Sequence, residues 1–383
     1  MKKLLALILS VFMVTLLLAS CGDGGTTPPE TETPPTQEGG NAGAPAATAP
    51  ETLDTVVFVV PRALEGLDDM ALWAADYLGY FAEEGIEFRM EQAFGTTDIR
   101  MIAMNQAQFG YPSPNLILAS IEEGIPVVAV SAADAINIFG MAVRSDSDIR
   151  SWEDMRGRTV ALGDAAWQTI AAPTVSAAGL NPDSDIEWVV AGDARYQMVN
   201  EGRVDVLFTW VSEFEQLRGQ GFDFIYFDGN EILPVLSNPI ITSWDFANSN
   251  PDLTTRFLRA FTKGLYFVLC SPEAAADIVL NRFPAIEITW EGAVGVAHGR
   301  NLQAFGTTEA AKQEILSQGI GYMPLEKWME NIEWAERVGV ISAPIDPSTV
   351  FTNDLLDLTW DRAQVEADAA AYVFSSRIYM EAH

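Results

Sequence analysis

Aromatic and polar side chains follow short apolar runs of the sequence, at turns where a helix is expected to begin. In residues 161–173, ALGDAAWQTIAAP, an apolar run ends in Gly163 and Asp164, and an alanine-rich segment carrying Trp167 follows. The Asp164 carboxylate can cap the following helix or accept hydrogen bonds from a ligand, and the Trp167 ring offers a flat apolar face. The turn has neither a nucleophile beside a base nor a glycine cradle for phosphate. We expect either contact with a small molecule or only a capped helix.

A second turn of this kind follows an expected strand near residue 110. Tyr111, Ser113 and Asn115 there offer a ring, a hydroxyl and an amide to a ligand. The alternative is a loop held in shape by its prolines. Both interpretations stay open on the sequence.

Catalytic and metal-binding patterns are missing from the sequence. It contains no G-x-S-x-G, P-loop, H-E-x-x-H or, after a strand, G-x-G-x-x-G pattern. The only histidines are His298 and His383, and a lone histidine such as His298 is more often structural than catalytic. With so little Cys and His, a zinc site is not expected, and the acidic clusters lack the spacing of a calcium loop. We predict no enzyme, no metal site and no cofactor.

Alternating elements predict how these turns are positioned. From residue 55 to residue 131, apolar strand-like runs alternate with amphipathic helical segments, which predicts a doubly wound parallel α/β sheet. Ligands of such sheets bind beyond the carboxyl ends of the strands. A second strand series begins near Thr159 and predicts a smaller α/β unit over about residues 145–238. A long amphipathic helix is expected after Pro251.

The N-terminus has the features of a secreted and lipidated protein. Residues 1–20 combine two lysines with an apolar run and small residues before Cys21, which predicts a lipoprotein signal peptide and a lipid anchor on Cys21. Residues 21–52 are rich in Gly, Thr, Pro and Glu, which predicts a disordered tether. The net charge is −31, and it becomes −33 once the two lysines are removed, which excludes nucleic acid as a partner. We expect the extracytoplasmic face of the cell membrane.

Five phrases in the sequence resemble one known family. They are LGYFAEEGIEF, DSDIRSWEDMRGRTVALGDAAW, AAGLNPDSDIEWV, MVNEGRVDVLFTW and SNPDLTTRFLRAF. Together they resemble the substrate-binding proteins of the nitrate/sulfonate/taurine and thiamine-pyrimidine family, which serve ABC importers. The resemblance implies a monomer that delivers a small solute to ABC permease and ATPase subunits. An enzymatic branch of the family uses a Cys-rich motif, which this sequence lacks.

The resemblance also implies a type II periplasmic-binding-protein fold. Lobe one would comprise residues 53–142 and 242–383, and lobe two residues 143–241. Two chain crossings near 141–145 and 240–244 would form the hinge, and ligand would bind between the lobes and favour the closed form.

The resemblance adds further residues to the expected site. In the family, cleft-facing side chains come from the first turn of the lobe-two helix at Trp167 and from the strand end at Trp210 and Glu213, and Asn238 lies at the return crossing. The full set of predicted ligand-binding residues is Tyr111, Ser113, Asn115, Asp164, Trp167, Gln168, Thr169, Trp210, Glu213 and Asn238.

The chemistry of this set favours one class of solute. Aromatic rings give flat apolar contact and carboxylates accept N–H donors, which favours a neutral or amine-bearing heterocycle such as a thiamine-pyrimidine precursor. Nitrate and sulfonates favour helix N-terminal amides and often a cationic donor, and only Arg62 is an obvious cation at the expected strand ends. An anion binder of the nitrate/sulfonate/taurine type is the alternative, since paired tryptophans also suit an aryl sulfonate.

Overall fold

The computed structural model describes residues 53–62, 64–93, 96–357 and 359–383. The expected signal peptide, Cys21 and the tether lie outside the described residues. The strands are β1 Asp54–Val60, β2 Ile86–Gln92, β3 Phe109–Gly110, β4 Val127–Ala132, β5 Phe139–Arg144, β6 Arg158–Leu162, β7 Ile186–Val190, β8 Val206–Trp210, β9 Phe224–Asp228 and β10 Pro239–Ser243.

Helices cover the strands and make up most of the C-terminal third. They are α1 Met70–Tyr77, α2 Tyr80–Glu83, α3 Thr97–Ala103, α4 Pro114–Glu122, α5 Trp167–Ala177, α6 Arg195–Asn200, α7 Val211–Gly219, α8 Trp244–Ser249, α9 Pro251–Cys270, α10 Pro272–Arg282, α11 Trp290–Phe305, α12 Glu309–Gln318, α13 Leu325–Arg337, α14 Arg362–Ala371 and α15 Arg377–Ala382. Across the described part of the chain, no helix combines the length and apolar character needed to cross a membrane.

The strands form two five-stranded sheets with the same plan. The first sheet has the order β2-β1-β3-β10-β4 and the second has the order β7-β6-β8-β5-β9. In the first sheet, β2, β1, β3 and β4 run in the same direction and β10 is antiparallel to both of its neighbours. In the second sheet, β7, β6, β8 and β9 run in the same direction and β5 is antiparallel to both of its neighbours. The predicted α/β architecture is therefore present, with one antiparallel strand in each mostly parallel sheet.

The antiparallel strands are the ones that enter from the other sheet. The chain leaves β4 and crosses through residues 133–138 into β5, and it leaves β9 and returns through residues 229–238 into β10. Both crossings lie upstream of the expected positions near 141–145 and 240–244. Residues 139–142 thus pair in the second sheet and residues 239–241 in the first. Sequence periodicity shows that these apolar runs are strands but not which distant strands they pair with. The division into moving lobes stays a prediction.

The C-terminal helices pack against the first sheet. Helix α9 begins at Pro251, as expected, because proline suits the first helical position. Its Phe257 ring stacks on Phe109 at 4.0 Å between ring centroids and on Phe81 at 5.5 Å. The FVLC run at the end of α9 has the pattern of a buried helix face, yet Cys270, its last residue, is exposed. The buried aromatic face of α9 therefore closes the core of the first unit.

Helix α11 joins this C-terminal region to the second sheet by packing on α7. A Cβ atom on Gly219 of α7 would lie 2.5 Å from the Cα of Gly292 on α11, closer than real Cβ contacts occur. The two helix backbones can approach this closely only because both positions are glycine. This contact fixes one side of the opening between the sheets.

Candidate functional site

The opening between the two sheets holds two adjoining chambers. The inner chamber encloses about 620 Å³ and the outer chamber about 1110 Å³, counting their open mouths. Both are lined by Pro61, Arg62, Asp68, Trp167 and Trp210. The remaining inner lining is Asp98, Tyr111, Pro112, Ser113, Leu116, Asp134, Ile138, Phe139, Ile170, Phe208, Asn238 and Arg300. The remaining outer lining is Glu65, Gly66, Asp69, Gln92, Gly163, Asp164, Asp193, Arg195, Tyr196, Glu213 and Gln216.

Strand ends deliver most of this lining. Arg62 follows β1 and Tyr111 follows β3 in the first sheet, while Asp164 follows β6 and Trp210 ends β8 in the second. The carboxyl ends of the parallel strands of both sheets therefore face the same opening, which is the usual place for ligands of α/β sheets.

The second sheet contributes an aromatic wall. The rings of Trp167 and Trp210 meet edge to face at 5.7 Å between centroids, and Trp167 meets Phe208 at 6.3 Å. Gly163 makes this possible, since a Cβ there would lie 2.6 Å from the Trp167 ring. The guanidinium of Arg195 lies 5.0 Å from the Trp167 ring centroid. The turn from Gly163 to Trp167 thus presents an indole ring to both chambers.

The first sheet contributes a buried network of charges. Arg62 Nη2 lies 2.9 Å from Oδ2 of Asp68 and also pairs with Asp69, which accepts a hydrogen bond from the Tyr111 hydroxyl. Arg300, on α11, lies 3.1 Å from a carboxylate oxygen of Asp134 and 3.8 Å from one of Asp68. Two guanidinium groups therefore hold three carboxylates away from water.

Asp68 connects the two units directly. It accepts hydrogen bonds from Trp210 Nε1 at 3.3 Å and from the Ser212 hydroxyl, both of the second unit. Gln303 of α11 donates to the Ser212 hydroxyl at 3.2 Å. The floor between the chambers is thus a hydrogen-bonded bridge from the loop after β1 to the end of β8.

Burial shifts the pKa values of these carboxyl groups. Burial would raise the pKa of Asp68, but Arg62 and Arg300 together hold it below the usual range. For Asp69 and Asp134, burial dominates and raises each pKa to about 6. Burial raises the pKa of Asp98 to about 7. The inner chamber thus contains carboxyl groups that gain or lose a proton near neutral pH.

Several polar atoms of the inner chamber have no hydrogen-bond partner among the described residues. They are Ser113 Oγ, both carboxylate oxygens of Asp134, Asp98 Oδ2 and Arg62 Nε. Arg300 is close enough to Asp134 for an ion pair, but its geometry makes no hydrogen bond. Unsatisfied buried polar atoms are costly, so a ligand that donates to these oxygens would be stabilised here.

Glu213 anchors the far side of the outer chamber. It accepts hydrogen bonds from Arg195 Nη2 at 2.7 Å, from the Tyr196 hydroxyl at 2.6 Å and from Thr209 Oγ1 at 2.7 Å. Burial raises the pKa of Tyr196 well above its usual value. These contacts fix the orientation of the Arg195 guanidinium over Trp167.

The structure brings most of the sequence-predicted site residues together. Inner-chamber positions are occupied by Tyr111, Ser113 and Asn238, outer-chamber positions by Asp164 and Glu213, and both chambers by Trp167 and Trp210. Asn115, Gln168 and Thr169 line neither chamber; Asn115 Nδ2 instead lies 3.4 Å from the Thr169 carbonyl oxygen. Asp164 accepts a hydrogen bond from the Ala166 amide at 2.8 Å. It therefore holds the start of α5 and lines the outer chamber at once.

The sequence did not single out four charged residues that line the site: Asp68, Asp69, Asp134 and Arg300. Asp69 stands at the N-cap position of α1, where an aspartate often caps a helix, but it makes no side-chain cap hydrogen bond and pairs with Arg62 instead. Asp134 follows a strand that the sequence identified, which was a usable signal. Arg300 had none, since it lies on a helix far along the chain. Within the described part of the chain, no group of three or more acidic, His or Cys side chains is arranged to hold a metal ion.

Comparison with known sequences identifies relatives. A family model described as NMT1/THI5 like matches residues 68–275, more than half of the chain. The riboflavin-binding protein RibY of Chloroflexus aurantiacus is 26% identical over 368 residues, which cover 93% of this chain and 99% of RibY.

Solved structures share the fold at low identity. The periplasmic aliphatic sulphonate binding protein SsuA from Escherichia coli matches with a TM-score of 0.56 and 14% identity, over 78% of this chain and 91% of SsuA. The ligand-binding component of an ABC-type import system from Staphylococcus aureus matches at 0.59 and 8%, over 80% and 98%. The desulfurization enzyme DSZB matches at 0.53 and 16%, over 79% and 97%. These likenesses establish the periplasmic-binding-protein fold.

Proposed function

Because the chain belongs to the NMT1/THI5-like family, we propose that it is the solute-binding component of an ABC importer. Its ligand is a flat heterocycle of the riboflavin type, held between the two sheets. The observation that carries this proposal is the pairing of an aromatic wall, Trp167 and Trp210, with unpartnered acceptor oxygens on Ser113 and Asp134. A planar ring with an N–H group at its edge can lie against the aromatic wall and donate to one of these oxygens.

Similarity to RibY supports a flavin more than the thiamine-pyrimidine precursor expected from the sequence. RibY is named as a riboflavin-binding protein, and it aligns with almost the whole of this chain. The two chambers also adjoin along Arg62, Asp68, Trp167 and Trp210, so together they can take a ligand longer than a single pyrimidine ring. A pyrimidine remains the smaller member of the same ligand class.

The anion alternative is less compatible with the charges. Arg62 and Arg300, the cations of the inner chamber, already face Asp68, Asp69 and Asp134. The positive charge of both guanidinium groups is thus offset by carboxylates at short range, and the same carboxylates would repel a sulfonate. The similarity to SsuA therefore supports the fold rather than a sulfonate ligand.

In this proposed function the protein binds its ligand and does not convert it chemically. DSZB shows that this fold also carries an enzyme. The lining of the two chambers contains no Cys or His, so a nucleophile paired with a histidine base is missing among the lining residues. A ligand that is recovered unchanged after long incubation supports a binder, and conversion to a new mass would overturn it.

The remaining parts of the proposal concern delivery. A lipid on Cys21 holds the protein, as a monomer, at the extracytoplasmic face of the membrane, and the tether of residues 21–52 lets it reach ABC permease and ATPase subunits. Ligand draws the two units together across the crossings at 133–138 and 229–238. Mass spectrometry of the protein made in a bacterial host tests the lipid: Cys21→Ala abolishes a diacylglyceryl mass on the N-terminal peptide.

A ligand panel tests the proposed function. Thermal unfolding is measured with riboflavin, a thiamine-pyrimidine precursor, an alkyl sulfonate, taurine and nitrate, each at saturating concentration. We expect riboflavin to raise the melting temperature, since a ligand at 100 times its Kd stabilises by about 2.7 kcal/mol. Stabilisation by sulfonates, taurine or nitrate alone would overturn the heterocycle proposal.

A further inference from the structure

We infer, resting on the proposed function, that the outer chamber takes a neutral, hydroxylated chain attached to the heterocycle and rejects the phosphorylated form of the same ligand. The ring would lie in the inner chamber and the chain in the outer one. Trp167, Trp210 and Asp68 line both chambers, so a single ligand can extend past them from one to the other.

The outer chamber is strongly acidic. Its lining includes six carboxylates and two guanidinium groups. The carboxylates are those of Glu65, Asp68, Asp69, Asp164, Asp193 and Glu213. A phosphomonoester carries a charge of roughly −1.5 to −2 at neutral pH and would meet this excess of like charge at short range.

Neither arginine is free to clamp a phosphate. Arg62 Nη2 pairs with Asp68 and Asp69. Arg195 directs Nη1 to the Gly192 carbonyl oxygen at 3.1 Å and Nη2 to Glu213 at 2.7 Å. Arg binds a phosphate in bidentate fashion through Nη2 together with either Nη1 or Nε. Nη2 is already paired in both residues, so each arginine offers single N–H groups, such as the unpartnered Nε, and no free bidentate pair.

The helix N-terminus in this chamber is also occupied. Helix N-termini bind phosphate through free backbone N–H groups. At the start of α5, the Asp164 carboxylate already accepts the Ala166 amide at 2.8 Å. The position where a phosphate would dock therefore holds a protein anion.

A neutral hydroxyl fits what remains. Arg195 is 4% exposed and lines the outer chamber, and its Nε has no hydrogen-bond partner among the described residues. Hydroxyl groups can accept from this single N–H and donate to the carboxylates, and the Gln92 and Gln216 amides can do either. A polyhydroxylated chain thus matches two separate buried donors, Nε of Arg195 and Nε of Arg62, among many acceptors.

Isothermal titration calorimetry of the full chain with three flavins tests separately whether the outer chamber takes the hydroxylated chain and whether it rejects a phosphate. Riboflavin has the hydroxylated chain, lumichrome has the ring system without it, and riboflavin 5′-phosphate adds the charge. We expect riboflavin to bind at least tenfold more tightly than lumichrome and at least 100-fold more tightly than the phosphate at low salt. The penalty on the phosphate should shrink at high salt, because ions screen like-charge repulsion.

Asp164→Asn tests the charge directly, since the amide oxygen can still accept the Ala166 amide. Asp164→Asn should reduce the ratio of the affinity for riboflavin to that for its phosphate at least threefold. Asp183→Asn, at an exposed acid outside both chambers, should leave this ratio unchanged.

In the comparison of flavins, equal affinity for riboflavin and lumichrome would contradict a hydroxylated chain bound in the outer chamber, and equal affinity for riboflavin and its phosphate would contradict the rejection of the phosphate. In both cases the proposed function stands. If none of the three flavins binds, the proposed function fails and this inference with it.

Discussion

The two walls of the cleft are built on sheets of the same strand order, yet they differ in chemistry. The first wall carries buried charges, with Arg62 and Arg300 against carboxylates. The second wall carries aromatic rings, led by Trp167 and Trp210. Two sheets with the same strand order can therefore carry different sites, because the side chains at their strand ends differ.

This difference predicts a division of labour. The charged wall is held rigid by interactions that the protein makes with itself, so its substitutions should act mainly on stability. The aromatic wall has flat surface facing the chambers, so its substitutions should act mainly on affinity. Four substitutions test that division, in order of decreasing expected effect.

Arg300→Met should give the largest effect, and it should fall on stability. The side chain is 7% exposed and lies between Asp134 and Asp68, so its loss leaves Asp134 buried without a counter-charge, while Asp68 keeps Arg62. We expect the free energy of unfolding to fall by about 3–5 kcal/mol in urea titrations. Arg337→Met, at an exposed ion pair with Glu333, is the control and should change it by less than about 1 kcal/mol. Equal effects of the two variants would contradict a buried network.

Asp98→Asn, on the charged wall, should act on stability and change how stability depends on pH. Burial raises the pKa of Asp98 from 3.8 to about 7 in the folded protein. The folded state therefore binds the proton more tightly, and the stability from this group is full below pH 3.8 and is lost as pH rises through about 7.

The variant should accordingly gain on the wild type as pH rises from 5 to 8, by about 2–3 kcal/mol, at about 1.4 kcal/mol per unit within the window. Chemical denaturation at several pH values measures the gap. A gap for Asp98→Asn that stays constant with pH would show that Asp98 does not titrate as a buried acid.

Trp210→Ala should weaken riboflavin binding by about 2 kcal/mol, roughly 30-fold, because it removes an aromatic face that lines both chambers. Trp210→Phe separates the ring from the Nε1 hydrogen bond to Asp68 and should recover part of the loss. Trp152→Ala provides the control, since Trp152 packs on Phe227 in the same unit and lines neither chamber. An unchanged Kd in Trp210→Ala would remove this residue from the site.

Asn115→Ala should have the smallest effect. Asn115 was expected to contact ligand, but its amide lies 3.4 Å from the Thr169 carbonyl oxygen and lines neither chamber. Affinity should stay within about twofold, as for surface changes away from a site. A tenfold loss would mean that the cleft extends to the α4–α5 contact.

The sequence predicted local features better than distant ones. The α/β fold class and the family resemblance are confirmed. The turn with Asp164 and Trp167 was visible because a strand pattern and a helix pattern meet there. The partners of β5 and β10 were not visible, since pairing between distant strands leaves no local periodicity.

The charged wall shows the same limit more sharply. Asp69 carried a helix-capping signal, and only the fold reveals that Arg62 and Tyr111 take its carboxylate instead. Arg300 lies on α11, more than 150 residues after β1, the strand that Arg62 follows. A charge network assembled from such separate segments can be seen only once the chain is folded.

Amide hydrogen exchange with and without riboflavin tests the central claim, that ligand binds between the two sheets, most directly. We expect riboflavin to slow exchange in segments of both walls: the loop after β1 and the turn after β3 in the first, and the start of α5 and the end of β8 in the second. The surface cavity lined by residues 286–291 and 377–382 should not change. Protection confined to one wall, or found at that surface cavity instead, would contradict the account.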